Sequence, residues 1–258
     1  MIYIIGGKGF VGSAIVRACQ NRGMEYQILS RDTIEQFTGT SCELLVNANG
    51  NSKKYMAERE PLWEFDASVR SVRASLENIH AKRYIHLSTC DVYPDCSSPE
   101  RTKEDQTIDV TKQSAYGFHK YLAEQCVMRH APEWLIFRMG GFVGPGLKKN
   151  AIYDILHGDP LRLDPRSALQ FIHVDTAADI IMEHALSARS HEIFNLCGAG
   201  VISMSEVLSA AGSGAVCEPD SPVVRYEVNI DKLANIQKIP ESRQTVLEFI
   251  RSSKENQM

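Results

Sequence analysis

Tyr116 and Lys120 stand four residues apart in the segment Ser114-Ala115-Tyr116-Gly117-Phe118-His119-Lys120. On a helix, residues at i and i+4 sit one above the other, with Cβ atoms about 5–6 Å apart. An ammonium held at that range favours the phenolate and lowers a phenol pKa from its ordinary value near 10. A tyrosine so placed exchanges a proton with a substrate hydroxyl near neutral pH, the acid/base half of a hydride-transfer site. Taken alone, the spacing fits a solvated surface pair equally well, so its weight comes from the elements around it.

The chain opens Met1-Ile2-Tyr3-Ile4-Ile5, an apolar run suited to a buried strand, and passes directly into Gly6-Gly7-Lys8-Gly9-Phe10-Val11-Gly12. Ser13 to Gln20 then carries Ile15, Val16 and Cys19 at helical spacing and stops before Gly23. Strand, glycine loop and helix in that order expose backbone N–H groups and a helix N-terminus to a pyrophosphate. Gly6, Gly9, Phe10, Val11 and Gly12 are therefore expected to bind a dinucleotide, with Asn49, just past the third strand, completing the set. The end of the second strand selects the cofactor. NAD enzymes place an acid there for the ribose 2′-OH, whereas Leu29 is followed by Ser30 and Arg31, a hydroxyl and a guanidinium suited to a 2′-phosphate. NADP is expected and NAD remains open, since Asp32 follows closely.

Composition narrows the field. In 258 residues a net charge of −4, with Lys and Arg scattered, argues against nucleic acid as a partner. No apolar stretch approaches the roughly 18 residues that span a bilayer, so no membrane is expected, and the opening strand differs from a signal peptide. Seven cysteines without a Cys-x-x-Cys pair speak against a disulfide framework and a structural zinc site. No His, Cys, Asp and Glu cluster has metal spacing. A cytoplasmic protein with reduced core cysteines is expected.

Strand-like runs at Tyr26–Leu29, Glu43–Asn47, Arg83–Ser88 and Trp134–Met139 alternate with helical ones at Pro61–His80 and Ser114–His130. This alternation predicts an α/β fold, a doubly wound parallel sheet of the Rossmann type over residues 1–146, completed by segments near 169–197. Residues 147–258 would form a small, discontinuous α/β substrate-binding lid, with a helix at Ala151–Leu156, a strand at Leu169–Val174, a helix at Asp175–Leu186 and a strand at Glu192–Leu196. Ser203 and Ser242 read as N-caps of two final helices. Trp63, Val69, Val72, Leu76 and Ile79 form a core stripe. His86 and His173 are expected as hydrogen-bonded structural histidines, and His119 as solvated or packed on a loop.

Five segments in order resemble an extended short-chain dehydrogenase/reductase of the NAD-dependent epimerase/dehydratase group: Gly6–Gly12, Ser88-Thr89-Cys90-Asp91-Val92-Tyr93, Tyr116 with Lys120, Arg138 to Gly146, and Phe171-Ile172-His173-Val174-Asp175. The resemblance implies a Thr89, Tyr116, Lys120 triad, with Thr89 hydrogen-bonding the reacting oxygen and Lys120 also reaching the nicotinamide ribose. It implies a nucleotide-sugar substrate and a homodimer, for which the Trp63–Ile79 stripe could serve as the seam.

Two positions distinguish the chemistries of such enzymes. Dehydratases of the family resemble Thr-Asp-Glu where this chain has Thr89-Cys90-Asp91, so Asp91 keeps a carboxylate at the base position and Cys90 is a poorer acid for a leaving hydroxyl. Epimerase/reductases acting on keto sugars place Cys where Asp91 stands and a Pro like Pro94. Gly141 and Leu169 replace an Asn and an Arg that contact the nucleotide diphosphate in relatives, leaving Lys148, Lys149, Arg162, Arg166 and Arg225 as substitutes or as solvated surface. The expected activity is reduction of a 4-keto group on a nucleotide-activated sugar. The alternatives are an epimerase or dehydratase that retains its cofactor and uses Asp91 as base, and a non-catalytic dinucleotide-binding redox sensor or scaffold.

Overall fold

The computed structural model describes residues 1–51 and 53–255. Strand β1 (Ile2–Ile5), buried along its whole length, leads through the glycine loop into helix α1 (Phe10–Asn21), then β2 (Tyr26–Leu29) and β3 (Thr40–Asn47). Helices α2 (Met56–Arg59), α3 (Pro61–Phe65) and α4 (Ser71–Asn78) precede β4 (Ile79–Thr89), α5 (Ala115–His130) and β5 (Glu133–Met139). The stretch from Pro61 to His80, expected as one helix, is divided: Asp66–Arg70 winds as a π-type turn, and Ile79 and His80 pair with Thr40 and Ser41 of β3. Strand pairing overrides the local helical spacing at these two residues.

The later elements are shorter: β6 (Gly141–Val143), α6 (Ala151–His157), β7 (Ala168–Leu169), β8 (Phe171–His173), α7 (Val174–Leu186), β9 (Glu192–Leu196), β10 (Ile202–Ser203), α8 (Met204–Ala211), β11 (Arg225–Tyr226), α9 (Asp231–Ala234) and α10 (Ser242–Glu255). No described helix is long and apolar enough to cross a membrane.

The chain forms two compact units. The first comprises Met1–Pro94, Thr107–Met139 and Asp175–Phe194. Its six-stranded sheet has the order β2-β1-β3-β4-β5-β9, and the pairings from β2 through β5 are parallel. β2 lies on one side of β1 and β3 on the other, which opens a crevice beyond the carboxyl ends of these strands. Val72, Ala123 and Val127 of α4 and α5 pack on Leu45, Tyr84, Trp134 and Ile136 of the sheet. Val69, Val72 and Ile79 of the expected stripe are buried, whereas Trp63 is 43% exposed. Arg17 of α1 donates from Nε to Asp175 of α7 at 2.9 Å.

The second unit comprises Asp95–Gln106, Gly140–Val174 and the residues from Asn195 onward. Ile152, Ile155, Val207, Val246 and Ile250 of its helices enclose Val143, Phe171 and Ile202 of its strands. The expected strand at Leu169–Val174 is two strands in different sheets. Gln170 between them turns inward, and its side-chain amide accepts from the Val228 N–H at 2.7 Å and donates to the Val228 carbonyl at 3.2 Å. Ser203 caps α8, accepting from the Glu206 N–H at 3.2 Å. Ser242 is not a cap but a buried pin, accepting from the Phe171 N–H and donating to the Gly200 carbonyl.

Candidate active site

The glycine loop is fixed by steric need. A Cβ on Gly12 would lie 2.1 Å from the Gly6 carbonyl oxygen, so the first turn of α1 can press against the strand end only without a side chain there. Gly9 precedes α1 and no side chain caps its first turn, which begins with Phe10 and Val11. The glycine loop and the first turn of α1 suit a pyrophosphate. Beyond β2, the Ser30 hydroxyl lies 3.1 Å from that of Thr33 and Arg31 is exposed. Beyond β3, Asn49 is held by its N–H to Asn47 Oδ1 at 3.0 Å and by its amide to Ser71 at 3.4 Å. All these residues lie at the carboxyl edge of the sheet.

Helix α5 carries Tyr116 and Lys120, the expected acid/base pair. Ser114 caps it, accepting from the Gly117 N–H at 3.0 Å. A Cβ on Gly117 would fall 2.1 Å from the Asp91 carbonyl oxygen, so this glycine lets the helix start lie directly on the segment after β4. Tyr116 and Lys120 are both buried, with the Lys120 ammonium 5.9 Å from the centre of the Tyr116 ring. The Tyr116 hydroxyl donates to the Asn51 carbonyl at 3.1 Å, and Gly50 packs against the Lys120 ammonium. The expected lowering of the phenol pKa is not what this arrangement produces. Burial pushes Tyr116 upward, and the carboxylates of Asp91 and Glu64 add to that, so the phenol is held in its acid form. Burial also lowers Lys120, opposed by Glu64, Glu124 and Asp91.

Thr89 closes β4, and its hydroxyl donates to Asp91 Oδ2 at 3.0 Å. Lys54 reaches the same carboxylate, at 2.7 Å from Oδ1 and 2.6 Å from Oδ2. Cys90 between them is fully buried, its thiol 3.1 Å from the Arg138 carbonyl. Thr89, Asp91, Tyr116 and Lys120 thus gather in the first unit, while the Cys90 thiol donates to the Arg138 carbonyl.

Beneath α5 lies a sealed ionic cluster. Glu124 contacts Arg138 through both carboxylate oxygens, 2.7 Å at the shortest, and accepts from Ser88 at 2.5 Å. Arg138 also donates to the Tyr93 hydroxyl at 2.9 Å, and its pKa is raised chiefly by Glu124 against the burial that lowers it. His86 of β4 is fully buried with neither ring nitrogen hydrogen-bonded, contrary to the expectation of a bonded structural histidine. Burial, and next the Lys120 charge, lower its pKa to about 3, so the ring is neutral. His119, expected at the surface or on a loop, is paired instead with Glu64, whose carboxylate is fully buried and also accepts from Ser68.

The model of the NAD dependent epimerase/dehydratase family matches residues 2–197. The chain belongs to this family. Its epimerase/dehydratase fold is shared with solved structures of low identity. MoeE5 in complex with UDP-glucose and NAD superposes with a TM-score of 0.79 at 15% identity, covering 100% of this chain and 99% of the other. TunA, a NAD-dependent NDP-hexosamine 5,6-dehydratase of tunicamycin biosynthesis, gives 0.80 at 20% identity over 98% of this chain and 96% of the other. The UDP-glucose 4-epimerase of Thermotoga maritima with UDP-glucose gives 0.74 at 14% identity over 100% and 99%. No curated protein sequence matches. The chain is accordingly an enzyme of the NAD(P)-dependent short-chain dehydrogenase/reductase type.

In this epimerase/dehydratase family member several site residues escape the sequence reading. Tyr116, Lys120 and Glu124 form one i, i+4, i+8 stripe, a signal that could have exposed Glu124. Lys54, Asn51 and Glu64 are brought in from distant segments and left no such signal. Of the cations considered for phosphate, Arg162, Arg166 and Arg225 are each paired with a neighbouring carboxylate of the second unit, Glu218, Asp164 and Glu227. No group of metal-ligating side chains occurs among the described residues.

Proposed function

We propose that this enzyme reduces a 4-keto group on a nucleotide-activated sugar, with NADPH as the preferred hydride source and NADH admissible. The observation that carries the reading is the Tyr116 phenol, kept in its acid form beside Thr89, Asp91 and Lys120. A reductase needs a proton donor at the oxygen that becomes alkoxide. Bound nicotinamide would supply the hydride to carbon. Thr89 would hold the keto oxygen by a hydrogen bond, Tyr116 would pass its proton to that oxygen as the C–O bond becomes single, and Lys120 would stabilise the phenolate left behind. Asp91, anchored by Lys54, would orient a neighbouring sugar hydroxyl. Cys90 directs its thiol to a backbone carbonyl, which leaves dehydration without a leaving-group acid at that position. Ser30 and Arg31 favour the 2′-phosphate of NADP.

A second reading, an epimerase that oxidises and re-reduces carbon 4 with its cofactor retained, is favoured by the similarity to a UDP-glucose 4-epimerase and to a protein solved with UDP-glucose and NAD. The second unit would bind the sugar nucleotide. Exposed Leu62, Trp63 and Phe65 on α3 support a two-copy assembly, and seven free cysteines fit a reducing cytoplasm. The test is a panel of nucleotide 4-keto sugars offered with NADPH and NADH, following cofactor absorbance and products together. Consumption with a 4-hydroxy product is expected, conversion without consumption would establish the epimerase, and silence throughout would refute both. In the active combination Tyr116→Phe is expected to lower turnover by about 10²–10⁴-fold, and unchanged turnover would remove Tyr116 from the mechanism.

A further inference from the structure

The loop 48–51 that follows β3 touches both halves of the site. Toward the glycine loop the approach is close: a Cβ on Gly6, where φ is +77°, would lie 2.8 Å from the Ala48 carbonyl oxygen and 3.0 Å from the Asn49 nitrogen. Toward α5, the Asn51 carbonyl accepts from the Tyr116 hydroxyl at 3.1 Å, and a Cβ on Gly50 would lie 2.5 Å from the Lys120 ammonium nitrogen. A shift of this loop is therefore felt by the glycine loop and by Tyr116 and Lys120 together.

Strand pairing reaches only to Ala48, whose N–H donates to the Ile5 carbonyl at 3.0 Å. From there the loop is held by a chain of hydrogen bonds that runs in one direction. The Asn49 N–H donates to Asn47 Oδ1 at 3.0 Å, and Asn47 Nδ2 donates to the Tyr84 hydroxyl at 2.6 Å. Ser75 of α4 gives its own proton to the Val72 carbonyl at 2.8 Å, so its oxygen, 2.7 Å from that of Tyr84, accepts the phenol proton. Burial pushes the Tyr84 phenol up to about 12, which keeps that proton in place. Only one orientation of the Asn47 amide serves both neighbours, since an amide nitrogen cannot accept from an N–H. Asn47, Ser75 and Tyr84 are all buried, so a link lost among them leaves a polar group with no water to replace it. The Asn49 side-chain amide adds a tie to Ser71 of the same helix at 3.4 Å.

We propose that Tyr84 is a positioning residue of the active site, acting through Asn47 to set the loop 48–51 between the glycine loop and the Tyr116 and Lys120 pair. Tyr84 touches none of the reacting groups and works by fixing the Asn47 amide, which in turn fixes the Asn49 main chain. The functional consequence rests on the reading above, in which the glycine loop holds the dinucleotide and Tyr116 and Lys120 serve the reacting oxygen.

Fluorescence titration with NADPH and NADH, and amide hydrogen exchange without cofactor, test this on the full-length protein. In Tyr84→Phe the affinity for the bound dinucleotide is expected to fall about fivefold. The Asn49 amide should exchange about fivefold faster, while the Leu45 and Val46 amides of β3 keep their wild-type rates. Asn47→Leu combined with Tyr84→Phe removes both polar partners, so the urea midpoint should return toward that of the wild type while the affinity stays low. A merely structural role predicts instead that affinity recovers with stability. Wild-type affinity and Asn49 exchange in Tyr84→Phe, or recovered affinity in the double variant, would overturn the proposal. Should the double variant not fold, Tyr84→Phe decides alone. A wild type that binds neither dinucleotide would sink the cofactor reading, and the Asn49 exchange would then decide the positioning role by itself.

Discussion

Replacing Gly117 by Ala reverses an ordinary expectation. In an open helix interior this change stabilises by about 1 kcal/mol, because alanine restricts the unfolded chain and solvates less backbone. Here the new methyl would stand 2.1 Å from the Asp91 carbonyl oxygen and 3.1 Å from its carbon. A carbon–oxygen contact needs about 3.3 Å, so α5 and the Asp91 segment must part by about 1 Å. The helix is pinned about two turns further on by Glu124 and Arg138, so relief comes from tilting its first turn, which carries Tyr116. Overpacking of this kind costs about 1–3 kcal/mol, and a misplacement of about 1 Å at a reacting group costs about 100-fold in turnover. Urea unfolding of Gly117→Ala is expected to show a net loss of stability, and turnover on the substrate found in the panel a loss near two orders of magnitude. A variant more stable than the wild type, or fully active, would refute the close approach and its role.

Arg138→Met leaves Glu124 as an unpaired buried charge and is expected to cost about 3–5 kcal/mol in urea unfolding, most of it recovered by adding Glu124→Leu; a double variant no better than the single would contradict the account. His86 is neutral when folded, with its pKa near 3 against about 6.5 unfolded, so the unfolded chain holds more protons between those values. Its contribution is intact above about pH 6.5 and lost as the pH falls toward 3, and stability curves of His86→Leu should be flatter across that window than those of the wild type. Arg31→Ala should weaken NADPH binding by about 10–100-fold and NADH binding little, as fluorescence titration would measure; an equal effect on both would assign Arg31 no contact with a 2′-phosphate.

What the sequence made legible was local. The strand, glycine loop and helix at the amino end, the alternation of later strands and helices, and the i, i+4 placement of Tyr116 and Lys120 depend on neighbours within a few residues. The Pro61–His80 stretch failed where strand pairing intervened, since Ile79 and His80 have partners on β3 that no helical period reveals. The proton chemistry was hidden for the same reason. The i, i+4 spacing shows Lys120 beside Tyr116 but not the burial under Asn51 and Gly50 or the negative charge of Asp91 and Glu64, which together turn the phenol's shift upward. His119 looked peripheral because Glu64 lies 55 residues away.

The sealed pair of Glu124 and Arg138 has a bearing on how the molecule breathes. Any partial opening that lifted α5 from β4 and β5 would separate these charges before water could fully replace their contacts, so such an excursion is nearly as expensive as losing the whole fold. The amides of α5 and of the carboxyl halves of β4 and β5 should therefore exchange with deuterium together and slowest, while β2 at the sheet edge exchanges through smaller fluctuations. The part of the enzyme proposed to handle the proton would then be the last to come undone.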